Sequence, residues 1–188
     1  MKPFTKMRKI LLSTLLSSII TVACLAQYPS SKMVVLVKAG KVKLNKKDVS
    51  KEWKLSTFTN VIDTFSRKKE GTNRIHSYDQ IGMVLFEPAP QKVPAGVVSE
   101  FQLFLDGVEA NKIVPREFYE GKLTIEKTDI TRNTTIDEIR KKLADYKETE
   151  SDENDKYRFS KDGIYIYFLY NSNKKLSKVT FGKDKVKA

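Results

Sequence analysis

Residues able to do chemistry are few and scattered in this chain of 188 residues. There is one histidine, His76, and one cysteine, Cys24. A histidine without a nearby serine, cysteine or carboxylate pair lacks the relay that nucleophilic catalysis uses. A transition-metal site built on it would have only carboxylates to complete it. The sequence holds no phosphate loop, no G-x-S-x-G elbow and no H-E-x-x-H helix. Paired carboxylates can hydrolyse glycosides, and Asp79 and Asp162 stand at two corresponding hairpin turns. Aspartate just before a glycine turn is also what turn geometry favours, and the turn role is the expectation. Residues 147–156, KETESDENDK, carry five acids. They lack the glycine and the spaced carboxylates of an EF-hand loop, so a solvated loop is expected. These residues imply no enzyme, no cofactor and no metal.

The elements around them are clearer. Residues 157–181, YRFSKDGIYIYFLYNSNKKLSKVTF, set β-branched and aromatic runs about two turn signals, Lys161-Asp162-Gly163 and Asn171-Ser172-Asn173. That pattern predicts a three-stranded antiparallel meander. Residues 78–86 followed by 98–103 repeat it more weakly. Upstream, 33–37 reads as a strand and 41–45 alternates with Val42 and Leu44 on one face. Ser56 or Thr57 is expected to cap a helix through Phe65, with Phe58, Val61, Ile62 and Phe65 on one stripe. Thr135 and Glu138 have capping-box spacing for a second helix, whose stripe is Ile136, Ile139, Leu143 and Tyr146.

The two sets of elements match in order. Gly40-Lys41-Val42 matches Gly121-Lys122-Leu123, Asp48-Val49-Ser50 matches Asp129-Ile130-Thr131, and Gly82 matches Gly163. Val98-Ser99 matches Leu176-Ser177, and Leu103 matches Phe181. The expected class is α+β: a tandem duplication of a unit with one helix packed on an antiparallel sheet. The units are residues 33–106 and 119–184, joined by the connector 107–118.

Residues 1–26 have the three parts of a secretory signal. Lys2, Lys6, Arg8 and Lys9 precede an apolar run at 10–20, and small residues follow at Ala23 and Ala26. The run is short for a membrane span, which needs roughly 20 apolar residues. Cleavage after Ala26 would start the mature protein at Gln27. The rival is lipidation at Cys24, because Val22-Ala23-Cys24 resembles a lipobox. Thr21 and Leu25 depart from that pattern. Export to a periplasm is expected, with attachment to the membrane through Cys24 as the alternative, and neither leaves a disulfide.

The formal net charge is +12, and removing residues 1–26 leaves 31 basic against 23 acidic residues. Lysine outnumbers arginine, with clusters at Lys41, Lys43, Lys46 and Lys47 and again from Lys174 to the C-terminus. Nucleic-acid readers favour arginine forks and stacking aromatics, and export argues further against such a partner. Weak attraction to anionic envelope polymer fits the charge. In the run 164–169, Ile164, Ile166 and Phe168 alternate with Tyr165, Tyr167 and Leu169. If the first set points inward, the second forms an outer face suited to binding another protein.

The pattern Gly40-Lys41-Val42-x-Leu44, a capped helix, Tyr78-Asp79-x-Ile81-Gly82, then Phe118-x-x-Gly121-Lys122-Leu123-x-Ile125 resembles uncharacterised bacterial exported tandem-repeat domains, over about residues 34–182. More remotely, a duplicated helix beside an antiparallel sheet is similar to the β-lactamase inhibitory protein and the SmpA/OmlA-type lipoproteins. Those resemblances imply a non-catalytic binding module, inhibitor-like, immunity-like or accessory to envelope assembly. A carboxylate-dependent hydrolase or a binder of anionic envelope polymer is the alternative.

Overall fold

The computed structural model describes residues 33–63, 65–88, 94–107, 113–149 and 155–184. Cys24 and the whole expected signal segment lie outside the described residues, as do residues 150–154 of the acidic run. The class is α+β and mostly strand. In chain order the elements are β1 (Val34–Lys38), β2 (Lys41–Leu44), β3 (Lys47–Asp48), α1 (Leu55–Ile62), β4 (Arg67–Lys69), β5 (Asn73–Tyr78), β6 (Met83–Pro88) and β7 (Glu100–Phe104). Then follow β8 (Lys122–Ile125), β9 (Thr128–Ile130), α2 (Ile136–Lys142), β10 (Lys147–Thr149), β11 (Lys156–Lys161), β12 (Ile164–Tyr170) and β13 (Leu176–Lys183).

These strands form two sheets, and each sheet draws on both halves of the chain. The small one runs β3-β2-β1-β8-β9 and the large one β10-β11-β12-β13-β7-β6-β5-β4. In the large sheet the two meanders meet where β7 pairs with β13, and Gln102 lies opposite Thr180. In the small sheet β1 is shared. It pairs antiparallel with β2 on one side and parallel with β8 on the other.

Paired turns hold β1. The β2–β3 loop (Asn45, Lys46) and the β8–β9 loop (Glu126, Lys127) have nearly the same backbone, with φ of 46° and 73° in one and 45° and 73° in the other. Two residues with positive φ make the turn whose twist suits a hairpin. Asn45 Oδ1 accepts from Val34 N–H at 2.9 Å, and Glu126 Oε1 accepts from Ala39 N–H at 2.7 Å. The first residue of each turn therefore ties down one end of β1.

The inward faces of both sheets join in a single hydrophobic cluster with Trp53, Phe58, Ile62, Ile139, Leu143 and Tyr146. Phe101 is a hub of that core. It stacks on Phe181 at 4.7 Å between ring centres and meets Phe58 at 5.7 Å and Trp53 at 5.8 Å. Helix α1 is thereby seated on the seam of the large sheet.

Three local expectations need correction. Helix α1 starts at Leu55, without a side-chain cap from Ser56 or Thr57. Its start is held by the loop before β7: Leu55 N–H donates to the Gly96 carbonyl at 2.7 Å, and Val98 N–H donates to the Trp53 carbonyl at 2.6 Å. The helix also stops at Ile62, because Asp63 takes φ of 70°. Phe65 therefore lies beyond the helix and packs on His76, ring centres 4.6 Å apart. The second correction concerns the acidic run, whose first residues are a strand: β10 pairs with β11 at the sheet edge. Charged side chains are common on exposed edges, where they discourage further pairing. The second helix begins as expected, with Thr135 and Glu138 closing a capping box and Ile139 and Leu143 buried, but it ends at Lys142, so Tyr146 is buried beyond the helix rather than on its stripe.

Candidate functional site

The outer face of the large sheet is the candidate site, and strand register places its residues. One row crosses all eight strands: Arg67, Ser77, Val84, Gln102, Thr180, Tyr167, Arg158 and Thr149. A neighbouring row carries Glu100, Gly182, Tyr165 and Ser160, and another carries Phe104, Lys178, Leu169 and Lys156. Strand β12 alternates strictly. Ile164, Ile166, Phe168 and Tyr170 are buried, while Tyr165, Tyr167 and Leu169 are half-buried on the opposite face.

The face is a laminate of rings and cations. Tyr165 and Tyr167 meet edge to face at 5.2 Å. The Arg158 guanidinium lies 5.0 Å from the Tyr165 ring centre and 5.7 Å from that of Tyr167, and Lys156 Nζ lies 4.8 Å from Tyr167. Lys178 Nζ stands 5.8 Å from the Phe104 ring. Cations over ring faces are held by the ring quadrupole. Arg158 also pairs with Asp184. The Tyr165 hydroxyl donates to Glu100 Oε2 at 3.0 Å, reaching across Gly182, where a Cβ would collide with the tyrosine ring. Burial, with the Glu100 carboxylate beside it, pushes the Tyr165 phenol upward from its ordinary value. It stays protonated and acts as a hydrogen-bond donor.

Sequence reasoning placed Tyr165, Tyr167 and Leu169 on one face, and the structure brings them together there. It missed the cationic partners. The signal was available, since Lys156 and Arg158 alternate on β11 and face β12 residues across the hairpin.

The titratable residues weighed from sequence go elsewhere. His76 is buried in the first half, facing inward. Its Nε2 lies 3.0 Å from Glu87 Oε2, and Glu87 Oε1 accepts from Arg74 at 2.8 Å and from Gly96 N–H at 2.6 Å. Burial pushes the Glu87 carboxyl upward, but the Gly96 amide, His76 and Arg74 outweigh it and hold the group below its ordinary value. The cluster links a buried carboxylate, through Gly96, to the start of α1. Its role is to position that loop.

Asp79 and Asp162 differ more than their hairpins suggest. Asp162 is in the two-residue turn with Gly163, at φ of 51° and 77°. Asp79 opens a longer turn and is gripped by Arg67 through two bonds of 2.6 Å, with Arg116 N–H at 3.2 Å. Burial raises the Asp79 carboxyl, and these bonds more than reverse that. Arg67 also reaches the Val114 carbonyl and Ser77 the Ile113 carbonyl, so residues 113–114 of the connector lie against β4 and β5 on the outer face. Among the described residues no cluster of histidine, cysteine or acids has metal-holding geometry, and no helix is long and apolar enough to cross a membrane.

An α+β protein with a ring-and-cation face and a capped first half is the class that fold and site define. Residues 34–140 match the family described as Domain of unknown function (DUF7738), and the chain belongs to that family. No curated protein matches it. A crystal structure of a DUF4309 family protein (YjgB) from Bacillus subtilis subsp. subtilis str. 168 is similar over 70% of this chain and 78% of that one, at 12% identity and a TM-score of 0.39.

Proposed function

We propose that this chain is an exported, non-catalytic protein-binding module whose partner docks on Tyr165, Tyr167 and Leu169. The observation that carries the reading is the unequal cover of one sheet. Ser77, bonded to the connector, and Val84, opposite it in register, are buried, whereas Tyr165, Tyr167 and Leu169, on the same face, keep part of their surface in solvent. Tyrosine and arginine are enriched where partners bind, because each buries large area and retains a polar tip. The partner surface that suits this face carries carboxylates set among apolar side chains.

The module is read as a duplication of residues 33–106 and 119–184 about the connector 107–118. The repeated order of elements, the matching turns at Asn45 and Glu126 and the pairing of Gln102 with Thr180 support this. An inhibitor-like, immunity-like or envelope-assembly role accords with that build. The hydrolase alternative is less favoured because Asp79, one of its two carboxylates, is already committed to Arg67. Export with cleavage before Gln27, or attachment through Cys24, belongs to the same proposal and is read from intact mass.

The test is the double change Tyr165→Ser/Tyr167→Ser. It should lower the thermal transition, since it removes the Glu100 bond and the ring pair, yet leave a cooperatively folded protein that no longer captures a protein partner from envelope extract. Undiminished capture by the folded variant rejects this face.

A further inference from the structure

The outer face of the small sheet carries a second, chemically different surface. Its register puts Lys38 beside Lys41, Leu36 between Lys43 and Thr124, and Val34 beside Lys122. Val34 is 39% exposed, one of two large apolar side chains so open among the described residues. Leu36, Lys38, Ala39, Lys41 and Lys43 line a shallow depression of about 200 Å³. Its floor is apolar and its rim is cationic.

The acids on and beside this face are already engaged. Asp129 is held by Thr124 Oγ1 at 2.7 Å and by Lys122 at 3.1 Å. Asp48 accepts from the Ser50 amide and hydroxyl, with Lys41 acting on it only at a distance. Glu126 is bound to Ala39 N–H and to the Tyr146 hydroxyl. Lys38, Lys41 and Lys43 have no ion-pair partner among the described residues. Lys46 and Lys47 add charge at the adjoining turn, and both are exposed.

We infer that this face lies against an anionic phospholipid bilayer. Charge complementarity selects that occupant: lysines with flexible apolar stems around the exposed Val34 and the half-buried Leu36 suit an interface where phosphate groups sit above hydrocarbon. Val34, the first residue of β1, is on this face, ten residues after Cys24. Were the chain attached at Cys24, a tether of at most about 35 Å would permit this contact, and the inference does not depend on that attachment. The surface is separate from the Tyr165 face, and either proposal can fail without the other.

Vesicle co-sedimentation tests it. The purified chain should sediment with vesicles of mixed phosphatidylglycerol and phosphatidylcholine, and much less with phosphatidylcholine alone. Lys38→Gln/Lys41→Gln/Lys43→Gln, with the same N-terminus, should lower the partition coefficient on the order of 100-fold. Rising salt should weaken binding of the unaltered protein, since attraction between exposed charges is screened. Equal partition of the two proteins, or equal binding to both vesicle types, overturns the inference. So does binding to a soluble polyanion without binding to vesicles. If the triple variant fails to fold, Val34→Trp supplies an independent reading. Brominated lipid should quench the new indole, while Trp53, at 3% exposure, stays bright. An unquenched signal with anionic vesicles present overturns the inference.

Discussion

The two halves of the large sheet differ in what they bury and in what they show to solvent. In the second half the inner face is apolar: Phe159, Ile166, Phe168 and Phe181 are all buried, with Phe159 meeting Phe168 at 5.7 Å. In the first half the β5–β6 hairpin buries His76 and Glu87, tied to Arg74 and Gly96. Outside, the contrast reverses. The first half is covered, with the connector over Ser77 and Arg67, and the second half shows rings and cations to solvent. The polar groups of the first half therefore work internally, organising a loop and a helix start. Those of the second half stand where a partner can reach them.

That contrast is most sharply tested in the core. Glu87→Ala would leave Arg74, His76 and the Gly96 amide without their acceptor, and removing one partner of a buried charged pair costs about 3–5 kcal/mol. Phe168→Ala, which removes a ring that is fully buried, should cost a similar amount, about 3–5 kcal/mol. Urea unfolding measures both. Similar totals should have different local signatures. Hydrogen exchange should rise around residues 94–98 and the start of α1 in the first variant, and not in the second. Uniform loosening in both would break the distinction between an organising network and a packed core.

Acid tests the buried carboxylates of the first half with a smaller effect. Glu87 and Asp79 are held below their ordinary values in the folded protein. A depressed carboxylate stabilises the fold in full above its unfolded value, near pH 4, and loses that contribution as pH falls through the folded value. Stability should be flat near neutrality and decline below about pH 4. Glu87→Gln should flatten part of the decline. A variant with an unchanged acid limb would remove Glu87 from the account.

Much of this fold was legible locally. The alternation at 164–170 gave the inward and outward faces of β12, because a strand turns each successive side chain over. Thr135 and Glu138 marked α2, because a capping box is closed within four residues. What could not be read was carried by distant partners. The start of α1 is held by Gly96, so Ser56 and Thr57 attracted a cap that the fold does not use. Phe65 continued the apolar stripe of α1, but its burial is against His76, beyond the helix end. The place of β1 between β2 and β8 was hidden too, since parallel pairing leaves no turn between the strands to betray it. At the candidate site the aromatic alternation was visible, whereas the Glu100 bond across Gly182 spans 65 positions and had no local sign.

The smallest expected effect distinguishes two neighbouring rings on the open face. The Tyr165 hydroxyl is bound to Glu100 and its ring lies over Gly182, so Tyr165 is built into the sheet. Tyr167 is held only by ring contacts, with Tyr165 beside it and Arg158 and Lys156 over its faces. Tyr165→Phe should therefore cost about 0.5–1.5 kcal/mol, the net worth of one hydrogen bond. Tyr167→Phe keeps the ring and should stay within about 0.5 kcal/mol of the original. Paired urea titrations measure the difference, and equal losses would show that Glu100 does not fix Tyr165. The unequal result would also sort their parts in docking. Tyr165 would serve as the rigid edge of the face, and Tyr167 as the ring free to reorient against a partner. Capture should then fall further with Tyr167→Ala than with Tyr165→Phe.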